Sequence, residues 1–179
     1  MTAEERAHAM KMLEAAEKEY LASIRDVNDA QWGWKPAPER WSVGETAEHI
    51  LLGEAVIFRS LLRAIQSPPV PDWESKTAGK TEFLERALLD RRQKAISPPS
   101  LHPQGLSREE TVRRFREQRV EIVKFAAETQ VFLQEHTADH PFPLFNTLNG
   151  YQWLILIAGH TMRHNLQIAE VKATPGYPG

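Results

Sequence analysis

Tyr151-Gln152-Trp153-Leu154-Ile155-Leu156-Ile157-Ala158-Gly159-His160-Thr161-Met162-Arg163-His164-Asn165-Leu166-Gln167-Ile168 is the stretch that decides the fold. It is too long for a strand, it contains no proline, and it begins after Asn149 with Gln152 three residues on, which is a capping pair for a helix N-terminus. The helix is expected to run to about Lys172, where Thr174-Pro175-Gly176 ends it. Within it His160 and His164 stand four residues apart, so both imidazoles leave one helical face. Two nitrogens held that way can grip one transition metal. The spacing alone is common by chance, and a helical histidine is often simply exposed or bonded to a neighbouring carbonyl. The surrounding Leu156, Ile157, Ala158 and Ile168 mark this face as buried, where an imidazole without a partner is costly.

Working outward, three more long helical patterns appear. The first runs from about Ala3 to Val27, with Met10, Leu13, Ala16, Tyr20, Ile24 and Val27 on one face and Thr2 with Glu5 as a capping box. The second starts at Ser42, paired with Glu45, and carries a wide stripe from Ile50 to Ile65 before Ser67-Pro68-Pro69. The third starts at Ser107 with Glu110, buries Val112, Phe115, Ile122, Val123 and Ala126, and turns Arg108, Arg113, Arg114, Arg116 and Arg119 outward. Interleaved Glu109, Glu110, Glu117 and Glu121 make that basic face a solvated, ion-paired one rather than a nucleic-acid surface. A Trp- and Pro-rich connection, Trp32 to Trp41, precedes the second helix. A long crossover, Val70 to Leu106, carries a minor helix near Glu82 to Lys94. His136 to Phe145 reads as irregular, and no sustained strand pattern is present. The fold expected is all-α: one domain over residues 1–179, a four-helix bundle with long crossover connections and a minor extra helix.

Composition narrows the function. The chain has 179 residues, 41% apolar and 26% charged, with a net charge of −2, so nothing pulls it toward nucleic acid or an anionic membrane. Its longest apolar run, Trp153 to Ala158, is too short to span a bilayer, the first residues lack a signal-peptide core, and a cytoplasmic location is expected. There is no cysteine. A metal site must therefore use histidines and carboxylates. A bundle core is a place where facing helices build such sites. The second helix offers His49 to join His160 and His164, and three imidazoles leave a coordination position open, as a catalytic site requires. Glu45 and Glu48 flank His49. Glu45 is read first as a cap, with a second role orienting the imidazole, since ligating histidines donate their other N–H to a carboxylate or carbonyl. His140 is read as a loop surface residue that could line a cavity mouth; His8, His102 and His136 have no usable arrangement. The five tryptophans are read as core anchors. No residue is singled out as a general base, and no phosphate-binding loop or nucleophile elbow is present.

Three stretches together resemble the DinB-like superfamily, which includes YfiT-related metal-dependent hydrolases and bacillithiol- and mycothiol-dependent transferases. They are Trp34 to Ser42 continuing through Glu48-His49-Ile50, the loop His140-Pro141-Phe142-Pro143-Leu144, and Gln152 to Ile168. The resemblance implies a four-helix bundle with a triple-histidine site near one end, and His49, His160 and His164 match the three ligands one by one. It also implies dimers and a divalent ion, nickel or zinc foremost; imidazoles suit iron and copper as well, and manganese is not excluded. The function expected is a metal-dependent hydrolase or thiol S-transferase, activating water or a low-molecular-weight thiol toward a small-molecule substrate, with no nucleic-acid or membrane partner. The alternative, from another class, is a non-catalytic metal- or small-molecule-binding bundle acting as a homodimer.

Overall fold

A computed structural model describes residues 1–92 and 96–179. Seven α-helices occur among them: α1 (Ala3–Ile24), α2 (Asp29–Gly33), α3 (Val43–Ala64), α4 (Trp73–Thr77), α5 (Lys80–Leu89), α6 (Arg108–Glu128) and α7 (Gly150–Lys172). The fold is all-α, as the periodicity predicts. α7 is the hub: it packs against α1, α3 and α5, while α6 closes against α1 and α3.

Each long helix begins where its sequence cap places it. Thr2, Ser42 and Asn149 each accept from the third helical amide, and Glu5, Glu45 and Gln152 return the bond. At α6 only half of the box forms: Ser107 accepts from the Glu110 amide, while the Glu110 carboxylate turns to Arg113 and Arg114. The Gln152 amide also donates to the Thr77 carbonyl at 2.8 Å, tying the start of α7 to α4.

Every residue of α7 from Gly150 to Gly159 is buried, after which burial alternates with partial exposure. A helix that is apolar all round must be enclosed on all sides. α7 meets that condition only in its first half, because α5 covers the flank that α1 and α3 leave open. His160 stands where the enclosed half gives way to the open half.

Several expectations need correction. α1 ends at Ile24, with Val27 buried just beyond it. The minor helix is α5 and stops at Leu89; the Gln93-Lys94 end expected for it lies outside the described residues. The stretch expected to be irregular is bracketed by a short antiparallel pair, β1 (Thr137–Asp139) with β2 (Thr147–Asn149), in the register Thr137 to Asn149. Of the five tryptophans only Trp153 is fully buried. Arg119, read as part of the solvated basic face, is 1% exposed. It forms an ion pair with Glu54, itself fully buried, so a charge on α6 points into the bundle where its partner on α3 waits.

Candidate metal centre

His49 comes from α3 and His160 and His164 from successive turns of α7, and the tight contact of these two helices brings them together. One ring nitrogen from each lies within 4.8 Å of the others. The ring centroids are 5.1 Å apart for His49 and His160, 4.4 Å for His49 and His164, and 4.5 Å for His160 and His164. Among the described residues this is the group of histidines and carboxylates that could hold a metal ion.

The outer nitrogens are fixed in two of the three. His49 Nδ1 donates to the Leu101 carbonyl at 2.9 Å, and His164 Nδ1 donates to Gln167 Oε1 at 2.9 Å. Both acceptors force the proton onto Nδ1 and leave Nε2 with a bare lone pair, the form a metal ligand needs. Gln167 Oε1 also accepts from Arg91, 3.3 Å away, and Arg91 is clamped by both oxygens of Glu170. His160 Nδ1 is buried and has no hydrogen-bond partner among the described residues.

Electrostatics favour the neutral imidazoles that ligation requires. Burial lowers the pKa of His49 below the ordinary histidine value, against the pull of the Leu101 carbonyl, and His102 adds to the lowering. Burial pushes His160 and His164 well below that value. His49 and Arg163 act in the same direction on both, His164 adds to the lowering of His160, and the Gln167 hydrogen bond opposes it at His164. The rings therefore present lone pairs rather than protons at neutral pH.

The acceptor for His49 is neither Glu45 nor Glu48. Glu45 is the cap and pairs with Lys35. Glu48, 2% exposed, accepts from three successive backbone amides, Gln104 at 2.7 Å, Gly105 at 2.9 Å and Leu106 at 3.0 Å. It holds down the crossover whose Leu101 carbonyl meets His49. Gly105, at φ 86°, supplies the left-handed turn that lets consecutive amides converge on one carboxylate. Trp41 lies against the His49 ring with centroids 4.6 Å apart, which gives the tryptophan of the entry segment a place at the site rather than in the core.

Gly53 is the remaining contributor. A Cβ there would lie 2.3 Å from His160 Cε1, so the imidazole occupies the space a side chain would need. Neither Gly53 nor Leu101 was legible as a site residue: one contributes an absence and the other a backbone oxygen. Gln167 carried a signal, since it sits three residues after His164 on the same helical face.

The other histidines have local partners. His140 is half-buried rather than a free surface residue; its Nδ1 accepts from the Phe142 amide, and its ring lies 5.4 Å from Trp153 and 5.0 Å from Phe145. His8 pairs with Glu85, His102 with the Ser97 carbonyl, and His136 with the Ser67 carbonyl. The arginines Arg113 and Arg114 are engaged by Glu110 and Glu117, as a solvated face should be. No helix among the described residues is long and apolar enough to cross a membrane.

Comparison with known proteins gives two findings. A family model described as the DinB superfamily matches residues 12–168. YuaE, an uncharacterized protein of Bacillus subtilis (strain 168), is 25% identical over 168 residues, spanning 91% of this chain and 96% of its own length. No solved structure matches the chain.

Proposed function

The chain belongs to the DinB superfamily, and on that premise we propose that it is a metal-dependent enzyme whose divalent ion is held by His49, His160 and His164. The observation that carries this reading is the convergence of three neutral imidazoles within 4.8 Å, two of them with Nδ1 already committed to an oxygen acceptor. The donor set fits zinc, nickel, iron or copper; with no carboxylate among the ligands it does not fit calcium or magnesium.

A divalent ion held this way with an open position would bring the pKa of bound water to about 7, or hold a thiol as its thiolate. The protein's own residues define the rest. Leu101 and Gln167 fix two rings so that no reorientation is needed when a ligand arrives. Trp41 walls one side of His49 and limits water there. The chain has no cysteine, so a thiol used at this site must come from a small molecule. The reaction proposed is therefore hydrolysis, or transfer of a low-molecular-weight thiol to an electrophilic small molecule.

Cobalt-loaded protein titrated with azide or a small thiol tests the reading. A change in the visible ligand-field spectrum is expected, and His164→Ala should bind less than one equivalent of metal. Full occupancy with a spectrum that no added ligand alters would mean a closed site, and the non-catalytic bundle would replace the enzyme.

A further inference from the structure

Directly behind the histidines lies a polar knot that the proposed chemistry does not use. Glu54 of α3 is fully buried and bonds Arg119 of α6. Its Oε1 also accepts from the Thr161 hydroxyl of α7 at 2.5 Å, and Thr161 accepts in turn from Arg119 Nη2 at 3.2 Å. Arg119 Nη1 reaches the Leu13 carbonyl of α1 at 3.0 Å, and its guanidinium sits 5.0 Å from the Phe115 ring centroid. Gln118 spans the Leu51 carbonyl and Glu54 Oε2. Glu54 and Arg119 together thus join all four long helices.

The placement of the knot is what gives it a role. Glu54 follows Gly53, the residue on which the His160 ring rests, and Thr161 follows His160. Two consecutive residues of α3 therefore meet two consecutive residues of α7. Adjacent residues on a helix point about 100° apart. The pair 54 and 161 can hold only one rotation and one axial register of α7 on α3, and that register is the one that seats His160 over Gly53. A hydrophobic seam at this level would tolerate sliding and rotation that hydrogen bonds to a single oxygen do not.

We infer that Thr161 and Glu54, with Arg119 bonded to the carboxylate, are positioning residues for the metal centre: they lock the helix register that carries His160 to its partners. The inference rests on the proposed metal site.

The experiment compares Co(II) affinity and the Co(II) absorption spectrum of wild type, Thr161→Val and Thr161→Ser. Thr161→Val keeps the volume and leaves the ion pair intact. We expect it to retain wild-type helicity but to weaken Co(II) binding about 10- to 100-fold and shift the spectrum. Thr161→Ser, which restores the hydroxyl, should return both to within about twofold. Replacing the pair together, Glu54→Met with Arg119→Met, removes both charges without stranding either, and it should weaken Co(II) binding as Thr161→Val does. A folded Thr161→Val protein with wild-type affinity and spectrum would overturn the inference and leave the metal site standing. Wild-type protein that fails to bind Co(II) would overturn the metal site itself, and the inference with it.

Discussion

At the scale of single residues, the centre depends as much on a missing side chain as on the ones present. An alanine methyl at position 53 would sit 2.3 Å from His160 Cε1, closer than carbon atoms pack, so the imidazole must swing away. In the middle of α3 the same change favours the helix by about 1 kcal/mol. Stability and metal binding are thus expected to separate. Gly53→Ala should keep its thermal midpoint near that of wild type yet lose at least about tenfold in nickel affinity by calorimetric titration, the scale on which metal sites respond to disturbed supporting groups. Equal affinity would mean that His160 is not seated by Gly53. Gln167 makes the complementary case. Gln167→Leu leaves the His164 Nδ1–H without its acceptor, freeing the ring to adopt the other tautomer, so nickel affinity should fall about 10- to 100-fold while His49 keeps its own bond to Leu101. Imidazole NMR resonances of His164, but not of His49, should then show tautomer exchange.

At the scale of elements, the crossover between α5 and α6 is made part of the site by one carboxylate. Glu48 collects the amides of Gln104, Gly105 and Leu106, and without it three donors would face a partly buried space with nothing to accept them. Leaving such groups unsatisfied costs about 1–3 kcal/mol each when they stay buried, so the segment is expected to open instead. Glu48→Ala should speed hydrogen exchange at residues 101–106 while α3 and α7 keep their protection. Protection unchanged at residues 101–106 would show that the strap is held by other contacts. The long helices and their starts were readable from the chain because caps and 3.6-residue periodicity are local signals: Ser42 with Glu45 and Asn149 with Gln152 each lie within one turn. The convergence of His49, His160 and His164 was readable through spacing on α7 together with the family resemblance. What was not readable depends on distant partners. Arg119 shares the buried face of α6 with Phe115, Ile122 and Ala126, which sets its position apart from Arg113 or Arg116, but the partner that makes a charge tolerable there, Glu54, lies on another helix. The β1–β2 pair is three residues a side, too short for alternation to register. Position 101 contributes only its carbonyl, which carries no sequence signature at all.

At the scale of the whole molecule, burying imidazoles ties folding to pH. His49, His140, His160 and His164 all have their pKa lowered from 6.5 by burial. In the unfolded chain each takes up a proton near pH 6.5, whereas in the folded, metal-free protein it does not. Stability rises with pH wherever the unfolded state binds more protons. The fold is therefore expected to be fully stable above about pH 6.5 and to weaken steadily as pH falls from there toward the depressed folded values. Glu54 acts with the opposite sign: burial raises its pKa despite the Arg119 guanidinium, so the folded state takes up a proton more readily than the unfolded chain does. The contributions separate by substitution. The thermal midpoint of metal-free wild type should fall between about pH 7 and pH 5, and His164→Gln, which removes one of the two most strongly depressed groups, should show a shallower fall. With zinc or nickel saturating, wild type should lose more over the same range, because protons then compete with the ion for the same nitrogens and its stabilisation is withdrawn as they win. If wild type and His164→Gln have parallel profiles in the absence of metal, the buried triad does not carry the acid sensitivity. The half-open end of α7 then supplies a site without charging the fold for neutral imidazoles.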